Sequence, residues 1–185
     1  MYSPRNMEQA RAAPDRSIVL VGLMGAGKTT VGRRLAKRLD LPFADSDEEI
    51  EKAADQKISE IFERFGEASF RDGERRVMRR LIVGAPKVIA TGGGAFVDAE
   101  TRALILEHCV AIWLQAEPET LVERVGRRAN RPLLKDRDPL ATLRDLGEKR
   151  NRFYAEAHLH ICSRSAPHER TVQQIVEALA SWRPA

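Results

Sequence analysis

Apolar runs and amphipathic stretches alternate along the chain. Residues 17–22, "SIVLVG", are rich in β-branched side chains and lack polar alternation, which predicts a strand buried on both faces. Residues 28–40 follow with Val31, Leu35 and Leu39 at four-residue spacing, the pattern of a helix with a basic outer face. A short strand is predicted over 41–47, "LPFADSD", then helices over 47–56 and 58–85, the second breakable at Gly66. "KVIATGGG", 87–94, predicts a third strand that ends in glycines, and "CVAIWLQ", 109–115, a fourth, with a helix over 99–108 between them. A helix over 117–128 carries acids in its first turn, as its dipole favours. A helix over 139–157, a fifth strand "HLHIC" over 158–162 and an amphipathic helix over 169–182 complete the order. Strands alternating with helices predict an α/β fold, a parallel sheet with helices on both faces.

Two segments fall outside this rhythm. Residues 1–16 are polar and read as a disordered leader with no signal-peptide core, leaving a single domain over 17–185. Residues 127–139, "RRANRPLLKDRDP", are basic and proline-bearing and read as a mobile excursion. No run approaches the length of a membrane span. The net charge of +4 is modest, and suits an anionic small molecule as well as nucleic acid. Cys109 and Cys162 both sit in apolar runs without metal-ligand spacing, so both are expected as buried reduced thiols in a cytoplasmic protein.

The first chemistry lies directly after the first strand. Gly22, Gly27, Lys28 and Thr29 satisfy G-x-x-x-x-G-K-[ST], with a strand before and a helix after. A turn that wraps a phosphate must aim several backbone N–H groups inward, at dihedrals that glycine tolerates. The helix start adds its free N–H groups and positive dipole end. Lys28 supplies a full charge to the outer phosphates, and Thr29 offers a hydroxyl to Mg²⁺. A triphosphate cradle follows, but the acceptor does not, because GTPases, motor ATPases and small-molecule kinases share this loop.

Several residues are candidates for an acceptor site. Asp45 and Asp47 are two apart, so in extended chain both carboxylates face the crevice at the strand's end. One can hold a magnesium water and the other accept a hydroxyl proton. A helix N-cap at Ser46 or Asp47 is the plainer account. Arg71 and Glu74 share a helix face and are expected to pair, at the surface on the plainer account. "TGGGA", 91–95, allows a close backbone approach. The basic excursion can close over a triphosphate and bring up an arginine.

In order, "GLMGAGKTT", "FADSDEEIE", "IFERFGEASFRDGE", "IATGGG", "RPLL" and "KRNRFY" resemble the shikimate kinase family, over residues 17–182. The resemblance implies a three-layer α/β/α sandwich with a central five-stranded parallel sheet, of the P-loop kinase type. It implies a substrate-binding helical region at about 46–84 and a mobile lid at about 126–138. The implied reaction moves the γ-phosphate of ATP to the 3-hydroxyl of shikimate, on the way to chorismate and the aromatic amino acids. Carried over by position, Gly25, Ala26, Gly27, Lys28, Thr29 and Thr30 hold the ATP phosphates, Arg124 lies along the adenine, and Arg131 is the lid arginine. Asp47 bonds the shikimate hydroxyls and is the base. Arg71 and Arg150 clamp the carboxylate, Glu74 orients Arg71, and Gly92, Gly93 and Gly94 line the pocket through their backbone. Phe62 and Phe70 wall the ring, and Thr29 and Asp45 serve Mg²⁺. The third strand ends without an aspartate, which leaves Asp45 as the magnesium partner. The middle residue of the D-x-D, Ser46, is expected to be tolerated. The family also implies a cytoplasmic monomer whose partners are shikimate and ATP, not nucleic acid or membrane.

Two other readings compete. Gluconate kinase shares the loop and the sheet but has a different acceptor pocket. A nucleotide-binding regulatory or nucleic-acid module suits the basic segment, yet that segment holds no aromatic residue for stacking.

Overall fold

The computed structural model describes residues 15–126, 138–163 and 167–183. Most of the expected leader, and the basic excursion with Arg131, lie outside them.

The strands β1 (Ile18–Val21), β2 (Phe43–Asp45), β3 (Val88–Ala90), β4 (Val110–Gln115) and β5 (Leu159–Cys162) form one parallel sheet in the order β2-β3-β1-β4-β5. Every residue of β1 and β3 is buried, as expected for strands covered on both faces. The flanking helices are α1 (Lys28–Leu39), α2 (Ser46–Ala54), α3 (Ile58–Ile82), α4 (Ala99–His108), α5 (Pro118–Gly126), α6 (Pro139–Tyr154) and α7 (His168–Ser181). The fold class is the expected α/β sandwich around five parallel strands. β1 is central, with its successors by sequence on one side and β4 and β5 on the other. Its C-terminal end is therefore the crevice where open parallel sheets bind ligands.

α1 buries Val31, Leu35 and Ala36 and turns Arg33, Arg34, Lys37 and Arg38 outward. Gly32 lets it approach the sheet, since a Cβ there would lie 2.7 Å from the Phe43 ring. α3 is kinked at Gly66, whose φ of 76° and ψ of 175° interrupt the helix where the sequence allowed a break.

Three expectations need correction. The second strand stops at Asp45, and Asp47 lies in the first turn of α2 rather than in extended chain. The helix cap is Asp45, whose side chain accepts from the Asp47 N–H, and not Ser46 or Asp47. Cys109 is buried, and desolvation pushes its thiol up to about 12, but Cys162 is exposed. It belongs to β5, which lies at the edge of the sheet among the described residues.

Gly22 joins the core to the site. Its φ is 137°, and a Cβ would lie 2.7 Å from the Leu114 carbonyl oxygen on the adjacent strand. That oxygen belongs to backbone held between two neighbours, so it cannot retreat cheaply. Gly22→Ala is expected to cost roughly 2–4 kcal/mol from combined backbone strain and overpacking. Urea unfolding would read this as a lower midpoint, and an unchanged midpoint would refute the tight contact.

Candidate active site

All five strands end on the same rim, and the candidate residues follow those ends. β1 delivers the chain into the glycine loop, where Gly25 and Gly27 have φ of 81° and 94°. Gly27 caps α1 in a left-handed conformation and has no side chain to cover the helix start, the kind of end at which anions bind. Lys28 is buried, and its Nζ donates to the carbonyls of Gly22 and Leu23, each at 2.8 Å. Lys28, Thr29 and Thr30 line a cavity of about 310 Å³, together with Asp45, Asp47, Gly92 and Arg124.

Asp45 uses both of its oxygens. Oδ1 accepts from the Asp47 N–H at 3.0 Å, and Oδ2 accepts from Thr29 Oγ1 at 2.8 Å. The carboxylate thus fixes the start of α2 and reaches the end of the phosphate loop. Thr29 and Asp45 are hard oxygen donors beside the phosphate position. Among the described residues no group of three or more His, Cys, Asp or Glu is arranged to hold a metal. That donor set fits Mg²⁺, which takes one or two protein oxygens and completes its shell with phosphate and water.

The loop after β3 explains its glycines. A Cβ on Gly92 would lie 2.6 Å from Asp47 Oδ1, and one on Gly94 would lie 2.5 Å from Arg71 Nη1. One on Gly93 would lie 3.4 Å from Arg150 Nη1. Each glycine passes beneath a different candidate side chain. None of the three has a positive φ, so at Gly92 and Gly94 it is space rather than backbone freedom that favours glycine, while a Cβ on Gly93 would make only ordinary contact. Side chains from α2, α3 and α6 thereby converge on one short segment beside the phosphate loop.

Arg71 and Glu74 form an ion pair at 2.6 Å, and Glu74 is only 2% exposed, so this is no surface pair. Burial pushes the Glu74 carboxyl above its ordinary range, Arg71 pulls it back, and the charges of Asp47 and Asp98 add to the rise. Burial works against the Arg71 charge too, but Glu74 and Glu67 outweigh it and hold the guanidinium above its usual value. Phe70 stacks on Phe62 at 4.6 Å between centroids, and the Arg71 guanidinium lies over the Phe70 ring.

Arg124, from α5, lies along the phosphate loop. Its Nη1 donates to Ser163 Oγ at 3.0 Å and reaches the carbonyls of Ala26 and Gly25 at 3.3 and 3.4 Å. Sequence reasoning missed four residues here. Ser163 is buried and donates to the Ala26 carbonyl at 3.1 Å, which ties β5 to the loop. Ser46, weighed only as a helix cap, accepts from the Gly92 N–H at 3.1 Å. Tyr154 donates to the Gly93 carbonyl. His168 lines the nucleotide cavity, and burial, then Arg124 and Arg34, lower its pKa. Its buried Nδ1 has no hydrogen-bond partner among the described residues.

The family model for shikimate kinase matches residues 24–180. A shikimate kinase from Zymomonas mobilis is 54% identical over 94% of this chain and 99% of its own length. Among solved structures, a shikimate kinase from Acinetobacter baumannii in complex with shikimate is 40% identical, covers 90% of this chain and 93% of its own, and superposes with a TM-score of 0.86. A gluconokinase from Sinorhizobium meliloti superposes at 0.62 with 19% identity over 90% of this chain and 92% of its own, a likeness of fold alone. With a phosphate loop, an acceptor-side cluster and this extent of similarity in agreement, the chain belongs to the shikimate kinase family.

Proposed function

We propose that this chain transfers the γ-phosphate of ATP to the 3-hydroxyl of shikimate with the residues gathered on the sheet's C-terminal rim. The observation that carries the assignment is the glycine floor. Asp47, Arg150 and Arg71 each stand over one of its residues, a short step from Lys28 and the α1 amides.

On this reading the loop amides and Lys28 hold the outer phosphates. Arg71 and Arg150 grip the shikimate carboxylate, for which the guanidinium fork is suited. Asp47 accepts hydrogen bonds from the hydroxyls, as an ionised carboxylate must, and takes the proton of the attacking one. Glu74 holds Arg71 in place from behind, and Phe62 and Phe70 wall the ring. Thr29 and Asp45 would hold Mg²⁺, which supplies charge neutralisation on the phosphates. The transition state is loose, so the protein mainly positions groups and neutralises charge. The lid role of Arg131 and the placement of adenine along Arg124 belong to the same proposal. So does a cytoplasmic monomer that binds two small molecules. Among the described residues no helix is long and apolar enough to cross a membrane.

A coupled ADP-release assay with MgATP tests the acceptor by comparing shikimate, gluconate and no acceptor. Release that depends on shikimate is expected, and release with gluconate alone would overturn the assignment. Lys28→Ala should abolish turnover. Asp47→Ala should lower turnover by roughly 10²–10⁴-fold while ATP still binds.

Glu74 gives a pH test of the buried pair. Its pKa is raised in the folded state, so the folded chain holds that proton more tightly than the unfolded one. The stability it contributes is complete below the ordinary carboxylate range and is lost as pH rises through the raised value. Wild-type stability should therefore fall relative to Glu74→Gln as pH climbs through that window. Parallel urea-unfolding profiles for the two proteins would contradict the assigned burial.

A further inference from the structure

Tyr154 is the last residue of α6 and is fully buried, hydroxyl included in a packed environment. Its ring lies 5.9 Å from that of Trp113, between centroids. Phenylalanine would fill nearly the same volume without a polar atom to desolvate. The hydroxyl donates to the carbonyl of Gly93. Burial raises the phenol's pKa, and the charge of Arg150 and its hydrogen bond to the phenol work the other way.

Arg150 stands one helical turn before Tyr154 on the same face. It meets the same glycine, since a Cβ on Gly93 would lie 3.4 Å from its Nη1. That Cβ would also lie 3.7 Å from the Gly22 carbonyl oxygen and 3.8 Å from the Met24 nitrogen, both in the phosphate loop. Gly93 is therefore where the end of α6 meets the nucleotide cradle. The same loop is held from the other side by Ser46, through Gly92.

We infer that Tyr154 is a positioning residue for phosphoryl transfer: its hydroxyl fastens α6 to Gly93 and so fixes the reach from Arg150 to the phosphate loop. The inference rests on the reading above in which Arg150 grips the acceptor's carboxylate. The span between that grip and the phosphates decides whether the attacking hydroxyl arrives at bonding distance, and small misplacements there are costly. Without the hydroxyl, α6 and the glycine segment lose their shared bond while the ring still fills its place.

The test is steady-state kinetics on Tyr154→Phe, with Arg150→Ala and Trp113→Phe alongside. Tyr154→Phe should lower kcat and raise the KM for shikimate by roughly tenfold, the scale of one lost hydrogen bond, with the KM for ATP within about twofold. Arg150→Ala should show the same split, more strongly. Trp113→Phe, which alters the ring packing and keeps the hydroxyl, should lower thermal stability without the split. If Arg150→Ala shows the split and Tyr154→Phe leaves kcat and both KM values unchanged, or raises both KM values together, the positioning role is refuted and the acceptor assignment stands. If Arg150→Ala spares shikimate, the assignment itself falls and the inference falls with it. The same split in Trp113→Phe would credit the packing and refute a role for the hydroxyl. Should Tyr154→Phe not fold, the native sequence labelled with 3-fluorotyrosine decides. The chain has 2 tyrosines, Tyr2 and Tyr154, so the two ¹⁹F resonances can be assigned with Tyr2→Phe. A Tyr154 signal that moves on adding shikimate supports the role, and one that does not move refutes it.

Discussion

The absence of side chains at Gly92 and Gly94 is the constraint on which the site depends. The helices α2, α3 and α6 send Asp47, Arg71 and Arg150 to within contact distance of this backbone. A methyl group at Gly92 or Gly94 would occupy space that the facing carboxylate or guanidinium already fills. The segment acts as a datum from which both halves of the site are measured. β3 holds it against β1 and β2 on one side, and Ser46 and Tyr154 hydrogen-bond its backbone from two others. A parallel sheet suits this task, because every strand ends at the same rim and a few residues of loop suffice to meet.

Electrostatics then separates a region for anions from a region for their partners. Lys28, Arg71, Arg124 and Arg150 surround the phosphate loop and the glycine floor. Asp45, Asp47 and Glu74 lie among them, and each has a distinct task. Asp45 is divided between a helix cap and the loop threonine. Glu74 is buried against Arg71 and would carry a large desolvation cost without it. The pair is better understood as holding a guanidinium in one orientation than as a contribution to stability.

Much of this was legible in the sequence. β-branched runs, a strand–glycine–lysine–helix junction and the order of strands and helices gave the sheet and the cradle, since each rests on a local period or a contiguous motif. The break at Gly66 was legible for the same reason. What escaped was work done across distance. Ser46, Tyr154 and Ser163 bond backbone atoms 46, 61 and 137 residues away, and a lone hydroxyl in a helical or strand pattern announces no such partner. Cys162 was misjudged because the spatial order of strands, not their composition, decides which strand lies at the edge. The D-x-D pair reached the cavity as expected, but through a helix cap where extended chain was assumed.

Lys28 carries a consequence for selectivity. Its ammonium bonds the Gly22 and Leu23 carbonyls, which compete with any phosphate that reaches it. The net gain is the difference between two sets of charge-assisted bonds, not the sum of new ones. An anion with a single phosphate offers few oxygens with which to compete against two well-placed carbonyls. A triphosphate spans the ammonium and the helix-start amides together, so each contact makes the next one intramolecular. On the proposed reading, in which Lys28 takes the outer phosphates, the cradle favours anions that carry several phosphates over those that carry one.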